Sequence, residues 1–218
     1  MKILAVETSG KTFSVAINEN GKTLVSFIYD SGHIHSEMVV PAIERALKDT
    51  GNTYGSIDKF AVSSGPGSFT GIRVGMTAVK TLGQTLNKPV VAIDTLSILE
   101  KSFVELKGLK LVAAIDALRD EVYVKSKKGI VIKSVDAFIK ENKKYKNKIV
   151  VVGNASEVYR ERFLKNFGAQ CALPAIFNIP KASTLAFMAQ HAKGESYSKA
   201  EPLYIRRSWA EESKPKKK

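Results

Sequence analysis

At 218 residues the chain is long enough to bury a sizeable core and to form two compact lobes of about 100 residues each. Its 34 Lys and Arg against 21 Asp and Glu give a formal charge of +13, which favours an anionic partner such as nucleic acid, although a lysine-rich surface alone produces the same number. Cys171 is the one cysteine, so an internal disulfide is excluded, and no apolar run approaches the ~20 residues that a membrane-spanning helix needs.

The first residues enter a strand pattern without the apolar core of a signal peptide, and the chain is expected to be cytoplasmic and free of membrane. Residues 2–6, 12–17 and 22–28 read as three strands, with turns at Ser9-Gly10 and Asn18-Glu19-Asn20-Gly21. Asn20-Gly21 is a strong hairpin signal. Glu7-Thr8-Ser9 sit where the chain leaves a buried strand, the place where α/β sheets hold ligands; turn capping is their other role. Residues 35–48 follow as a helix whose Met38, Val39, Val40, Ala42, Ile43, Ala46 and Leu47 cover more than half its circumference, which predicts burial on two sides. Pro41 predicts a kink or an irregular first turn. His33 and His35 lack companion ligands, so no metal site is read there.

The centre of the chain is a short strand at 60–62, the turn Ser63-Ser64-Gly65-Pro66-Gly67-Ser68-Phe69-Thr70-Gly71, and a helix from Ile72 to Leu86. Glycines around a proline let the backbone reverse, and Ser68 and Thr70 are candidate caps for a helix N-terminus that suits an anion. The glycine spacing is neither a dinucleotide fingerprint nor a Walker loop, and a strand-to-helix turn rich in glycine for purely steric reasons is the other reading. On the helix, Ile72, Gly75 or Met76, Val79, Leu82 and Leu86 make the buried face and Arg73, Lys80 and Gln84 a polar one. The strip Val74, Ala78, Thr81 and Thr85 is small enough to seat another helix, from this chain or a second one. A strand at 89–93 and a helix at 96–106 complete the first half.

The second half repeats the order. Strands at 111–115, 121–125 and 130–133, a helix at 134–145, a strand at 149–152 and a helix at 155–167 again give βββαβα. The fold class is therefore α/β, two ribonuclease-H-like units with a cleft between them, divided as 1–106, 107–200 and a C-terminal docking segment with a basic tail at 201–218. A further helix is expected at 183–192, and the amphipathic stretch 201–207 must dock somewhere.

Glu7-Thr8-Ser9, the eleven residues from Gly65 to Gly75, Ala114-Ile115-Asp116-Ala117 with Glu121-Val122-Tyr123, and Glu201-Pro202-Leu203-Tyr204-Ile205-Arg206 together resemble the TsaB family, formerly YeaZ, in order and over nearly the whole chain. The resemblance implies a two-lobed actin-like or Hsp70-like ATPase (ASKHA) fold. It also implies a noncatalytic scaffold or dimerisation subunit of the complex that places N6-threonylcarbamoyl on adenosine 37 of tRNAs reading ANN codons. The implied partners are the catalytic paralogue TsaD, the ATPase TsaE, tRNA through the complex, and a second copy of the chain. Pairing is implied through the two first-lobe helices, with His35, Met38, Val39, Ala42, Ile43 and Ala46 on one and Arg73, Val74, Ala78 and Thr81 on the other. Glu7, Thr8, Ser9, Gly65, Gly67, Ser68, Thr70 and Gly71 are the implied nucleotide or phosphate candidates, for ATP or ADP held weakly or in a pocket shared with the partner. The paralogue's metal-binding histidines have Thr95 and Leu99 in their places, so no metal is expected. A phosphotransferase of the same fold class, with Asp94 or Asp116 as base, is the alternative; a peptidase would need a Gly-x-Ser-x-Gly elbow that Ser63, Ser64 and Ser68 do not form.

Overall fold

A computed structural model of the protein describes residues 1–30, 35–103 and 108–206. His33 and the lysine-rich tail lie outside the described residues. Three antiparallel strands open the chain, β1 (Lys2–Glu7), β2 (Thr12–Glu19) and β3 (Lys22–Asp30). Asn20 and Gly21 between the last two have φ of 49° and 85°, the pair of left-handed residues that a two-residue hairpin turn requires. Helix α1 (His35–Asp49), strand β4 (Lys59–Gly65), helix α2 (Phe69–Thr85), strand β5 (Val90–Asp94) and helix α3 (Thr95–Lys101) follow. β4 and β5 add in parallel, giving the sheet order β3-β2-β1-β4-β5.

The second set is β6 (Lys110–Asp116), β7 (Glu121–Ser126), β8 (Gly129–Ser134), α4 (Val135–Asn142), β9 (Ile149–Val152), α5 (Ala155–Val158) and α6 (Arg160–Phe167). Its sheet, β8-β7-β6-β9, repeats the first order without the fifth strand. This is the duplicated, two-lobed actin-like fold. The anticipated continuous helix at 155–167 breaks at Tyr159, whose φ of −109° and ψ of 24° leave the helical region.

The layers explain which residues are apolar. Between the first sheet and α1 and α2 lies a core of Leu4, Val6, Phe13, Ile43, Phe60, Met76 and Val79. On the sheet's other face Ile3, Ala5 and Ala61 meet Ile98 of α3 and the residues of α7 (Ala182–His191). α3 also sends Leu96 and Leu99 against Ala113, Ile115, Val150 and Val152 of the second sheet, whose far face is covered by α4 and α6. A seven-residue helix thus serves both lobes, which is why its residues are apolar on more than one side. Leu99 is spent on this packing, and Thr95 is buried one turn before it.

α7 corrects the division at residue 107, which put it in the second lobe. It packs on β1, β2 and β4, where Ser14 Oγ of β2 accepts from Ala182 N at 2.9 Å and Lys59 Nζ of β4 donates to the carbonyls of Ala189 and Ala192 at 3.0 and 2.9 Å. First-lobe side chains therefore satisfy orphan groups at both of its ends, and the buried ammonium of Lys59 faces the negative end of the helix dipole.

Two further expectations change. α2 starts at Phe69, three residues early, because Ser68 caps it: its Oγ accepts from Gly71 N at 3.2 Å, and Thr70 lies within the first turn. α1 runs unbroken through Pro41 and is buried on one face only. His35, Val39, Ala42, Ile43, Ala46 and Leu47 face the chain's own core, while Val40 and Pro41 stand in solvent.

Candidate functional site

Three features converge at the C-terminal ends of the first lobe's parallel strands: the β1–β2 hairpin, the loop from Gly65 to Ser68, and the segment 201–206. The hairpin fills the loop. Ser68 N donates to the carbonyl of Ser9 at 2.7 Å, so this N–H is already used by the chain itself. Glycines make the approach feasible. A Cβ on Gly67 would stand 2.2 Å from Ser9 O, one on Gly71 2.1 Å from Thr8 O, and one on Gly75 2.3 Å from Thr8 Oγ1. The glycines of the motif therefore admit the β1–β2 hairpin to the face of α2. Gly71→Ala is expected to force the hairpin off the helix at a cost of about 1–3 kcal/mol, read as a Tm lowered by roughly 2–10 °C in a thermal melt.

Glu7 and Thr8 are fully buried and Ser9 nearly so. Glu7 Oε1 accepts from Ser9 N at 2.8 Å and from the Ser9 hydroxyl, whereas Glu7 Oε2 and Thr8 Oγ1 make no hydrogen bond. Burial pushes the Glu7 carboxyl up to about 7, only partly offset by the Ser9 hydrogen bonds and by the nearby Ser63 hydroxyl. Of the eight phosphate-loop candidates, Glu7, Thr8, Ser9, Gly65 and Gly71 are thus sealed inside the lobe, and Gly67, Ser68 and Thr70 are exposed. The candidates are brought together, but as packing between two loops. A phosphate placed among them would meet the Ser9 carbonyl and a buried carboxyl.

The docking segment lies across the mouth. Leu203 N donates to Ser64 O at 2.8 Å, extending β4 by one backbone contact. Tyr204 OH accepts from Arg73 Nε at 2.9 Å, Arg73 stacks 3.8 Å above the Phe69 ring, and Arg206 pairs with Glu121 at the start of β7. The segment ties both lobes together and bounds a cavity of about 180 Å³ with Pro66, Phe69, Ile72 and Tyr123. Arg73, expected at a partner interface, is exposed and also engaged within the chain by Phe69 and Tyr204. Sequence reasoning marked 201–207 as a segment that docks but missed Tyr204, Arg206, Glu121 and Phe69 as its fastenings; the paired aromatics flanking one arginine were the available signal.

The carboxylates of the phosphotransferase alternative are also engaged. Asp94 caps α3, accepting from Ser97 N at 2.8 Å, and Asp116 accepts from Tyr159 OH at 2.9 Å and Leu118 N at 3.0 Å. Among the described residues no three His, Cys, Asp or Glu side chains are grouped to hold a metal, and no helix is long and apolar enough to cross a membrane. His35 is buried against the Phe13 ring, 5.5 Å between centroids.

The remaining candidates are carried by α1 and α2. His35, Val39, Ala42, Ile43 and Ala46 are core residues and offer no surface, a correction to the expected interface. Met38, Val74 and Ala78 are half-buried and packed against the edge of the first-lobe core, and Thr81, Val40 and Pro41 are exposed; these six make up the accessible apolar and small surface of the two helices.

The family model described as "TsaD: tRNA N6-adenosine threonylcarbamoyltransferase" matches residues 30–213. The TsaB protein of Bacillus subtilis, named for tRNA threonylcarbamoyladenosine biosynthesis, is 26% identical over 97% of this chain and 96% of its own length. A tRNA N6-adenosine threonylcarbamoyltransferase of Brachyspira hyodysenteriae is 36% identical over 43% of this chain and 32% of its own. The solved structure of YeaZ from Pseudomonas aeruginosa superposes with a TM-score of 0.72 at 26% identity, over 93% of this chain and 99% of that one. With a transferase family model spanning most of the sequence and TsaB and YeaZ relatives matched along nearly their full length, the chain belongs to the TsaB (YeaZ) family.

Proposed function

We propose that the chain is a noncatalytic scaffold subunit in the biosynthesis of N6-threonylcarbamoyladenosine in tRNA, and that it pairs with the transferase paralogue through the outer face of α1 and α2. The observation that carries this reading is the closed loop. A chain matched by a transferase family model has its own Ser9 carbonyl on the Ser68 N–H and its Glu7 and Thr8 sealed from solvent, which supports a loop that packs on its own hairpin rather than holding phosphates unaided. With the loop filled, ATP or ADP is bound only where the paralogue completes a pocket. A TsaE-type ATPase and tRNA join through the assembled complex, and a second copy of this chain covers the same helix face when the paralogue is absent.

The strip Met38, Val40, Val74 and Ala78 supplies apolar and small side chains that let a facing helix approach. Size-exclusion chromatography with light scattering, run with and without the transferase paralogue, tests it. The native chain is expected to form a heteromeric complex, and Ala78→Glu to abolish it while the circular dichroism spectrum stays unchanged. A complex that survives Ala78→Glu, or modification of tRNA by the purified chain alone, overturns the reading.

A further inference from the structure

The positive charge is concentrated in one lobe. Residues 1–103 carry 10 Lys and Arg against 9 Asp and Glu, whereas residues 108–180 carry 14 against 7. The topology then gathers much of that excess at one end of the second sheet. β6 and β9 run parallel and β7 runs against them, so the starts of β6 and β9, the β7–β8 turn and the residues after α4 share the end opposite the 116–121 hairpin. Lys110 N donates to Lys148 O at 2.6 Å, fixing the first of these points beside the second. Lys127 and Lys128 occupy the turn. Lys143, Lys144 and Lys146 follow α4.

All seven side chains are exposed, and among the described residues none of them forms an ion pair with a carboxylate. Among the described residues, two acids near this end are taken by other lysines, Glu141 by Lys133 and Glu100 by Lys125. A helix C-terminus attracts cations, which accounts for Lys143 and Lys144 but not for lysines on strand starts and a hairpin turn. Four strands at about 4.8 Å spacing make this end roughly 15 Å across before the side chains are added, enough for several phosphates of one backbone. The cations are lysines, which neutralise phosphate as point charges without the planar fork that reads bases. Protein partners are usually met by an apolar centre, and the exposed large hydrophobic residue closest in sequence to this end is Leu109, 38% exposed.

We propose that this end of the second lobe is a sequence-independent docking surface for the phosphodiester backbone of a folded RNA. The choice of RNA rests on the function proposed above, in which the RNA is tRNA. The test uses the full chain and fluorescence anisotropy with a labelled tRNA transcript between 50 and 300 mM salt. The fourfold variant Lys143→Gln, Lys144→Gln, Lys146→Gln, Lys148→Gln is compared with the matching fourfold Lys→Arg variant, and thermal melts check that both fold. Loss of four phosphate contacts is expected to make the log–log salt slope shallower by about 3 and to weaken binding more than tenfold at low salt. The Arg variant is expected to bind as the native chain does. Native-like RNA binding by the Gln variant overturns the proposal. So does a native chain that binds phosphatidylserine vesicles or polyglutamate more tightly than RNA, with that binding lost in the Gln variant. Light scattering with the transferase paralogue is read on the same variants. Lost RNA binding with pairing intact supports the surface; intact RNA binding with pairing lost overturns it and leaves the pairing result to be judged separately.

Discussion

Val39→Glu is expected to unfold the first lobe, whereas Val40→Glu, one residue on, is expected to leave it folded and to lose the partner. Both side chains are valines on α1, and sequence periodicity places both on an apolar surface. Val39 is 1% exposed and packed in the core with Phe13, Ile43 and Phe60; Val40 is 49% exposed. Removing the buried valine forfeits about 1.5–3 kcal/mol of burial. The glutamate left in its place must also be desolvated or protonated, adding several kcal/mol. A loss above about 4 kcal/mol consumes most of the 5–15 kcal/mol that holds an ordinary domain. Urea denaturation followed by circular dichroism reads the difference directly. A folded Val39→Glu chain with native midpoint would mean that α1 does not pack as described. For Val40→Glu the readout is the complex with the transferase paralogue, expected to vanish while the urea midpoint moves by less than about 0.5 kcal/mol equivalent.

The contrast between these two valines shows where sequence reasoning ended. Strands in both halves, the duplicated order and the buried face of α2 follow from apolar runs, glycine turns and a 3.6-residue period. All of these are local. The width of the apolar stripe on α1 was also legible, but it was read as two interfaces. The structure spends nearly all of it on one, because α1 packs between β2, β3 and α2 and needs a broad contact. Nothing local in residues 182–191 says that the helix returns to the first lobe. That depends on Ser14 and Lys59, more than 120 residues away, reaching its two ends. The glycines of the central loop were legible as positions of close approach, but sequence does not name what approaches. Thr8 and Ser9 do: the glycines of the motif seat the chain's own hairpin. Tyr204 and Arg73 were seen separately as a docking segment and a polar helix face; their hydrogen bond shows them to be one feature.

Glu7→Gln is expected to stabilise the chain at pH 8 relative to the native sequence and to lose that advantage in acid. The Glu7 carboxyl is fully buried and titrates near 7 instead of its ordinary 4.5, with burial as the dominant cause. The folded state therefore holds a proton that the unfolded state releases between these values. Below about pH 4.5 both states are protonated and no penalty arises. As pH rises the unfolded chain ionises first, and stability falls by about 1.4 kcal/mol per pH unit until the folded carboxyl also ionises near 7. The accumulated loss is about 3 kcal/mol and is flat above that point. Glutamine has the same shape, keeps an oxygen to accept from Ser9, and does not titrate. Urea midpoints of native and Glu7→Gln chains, measured from pH 4.5 to 8, are expected to diverge by about 3 kcal/mol in favour of glutamine across that window. A difference that stays constant with pH would show that Glu7 is as solvated as a surface carboxylate. The hairpin would then stand away from α2, and the phosphate loop would be open after all.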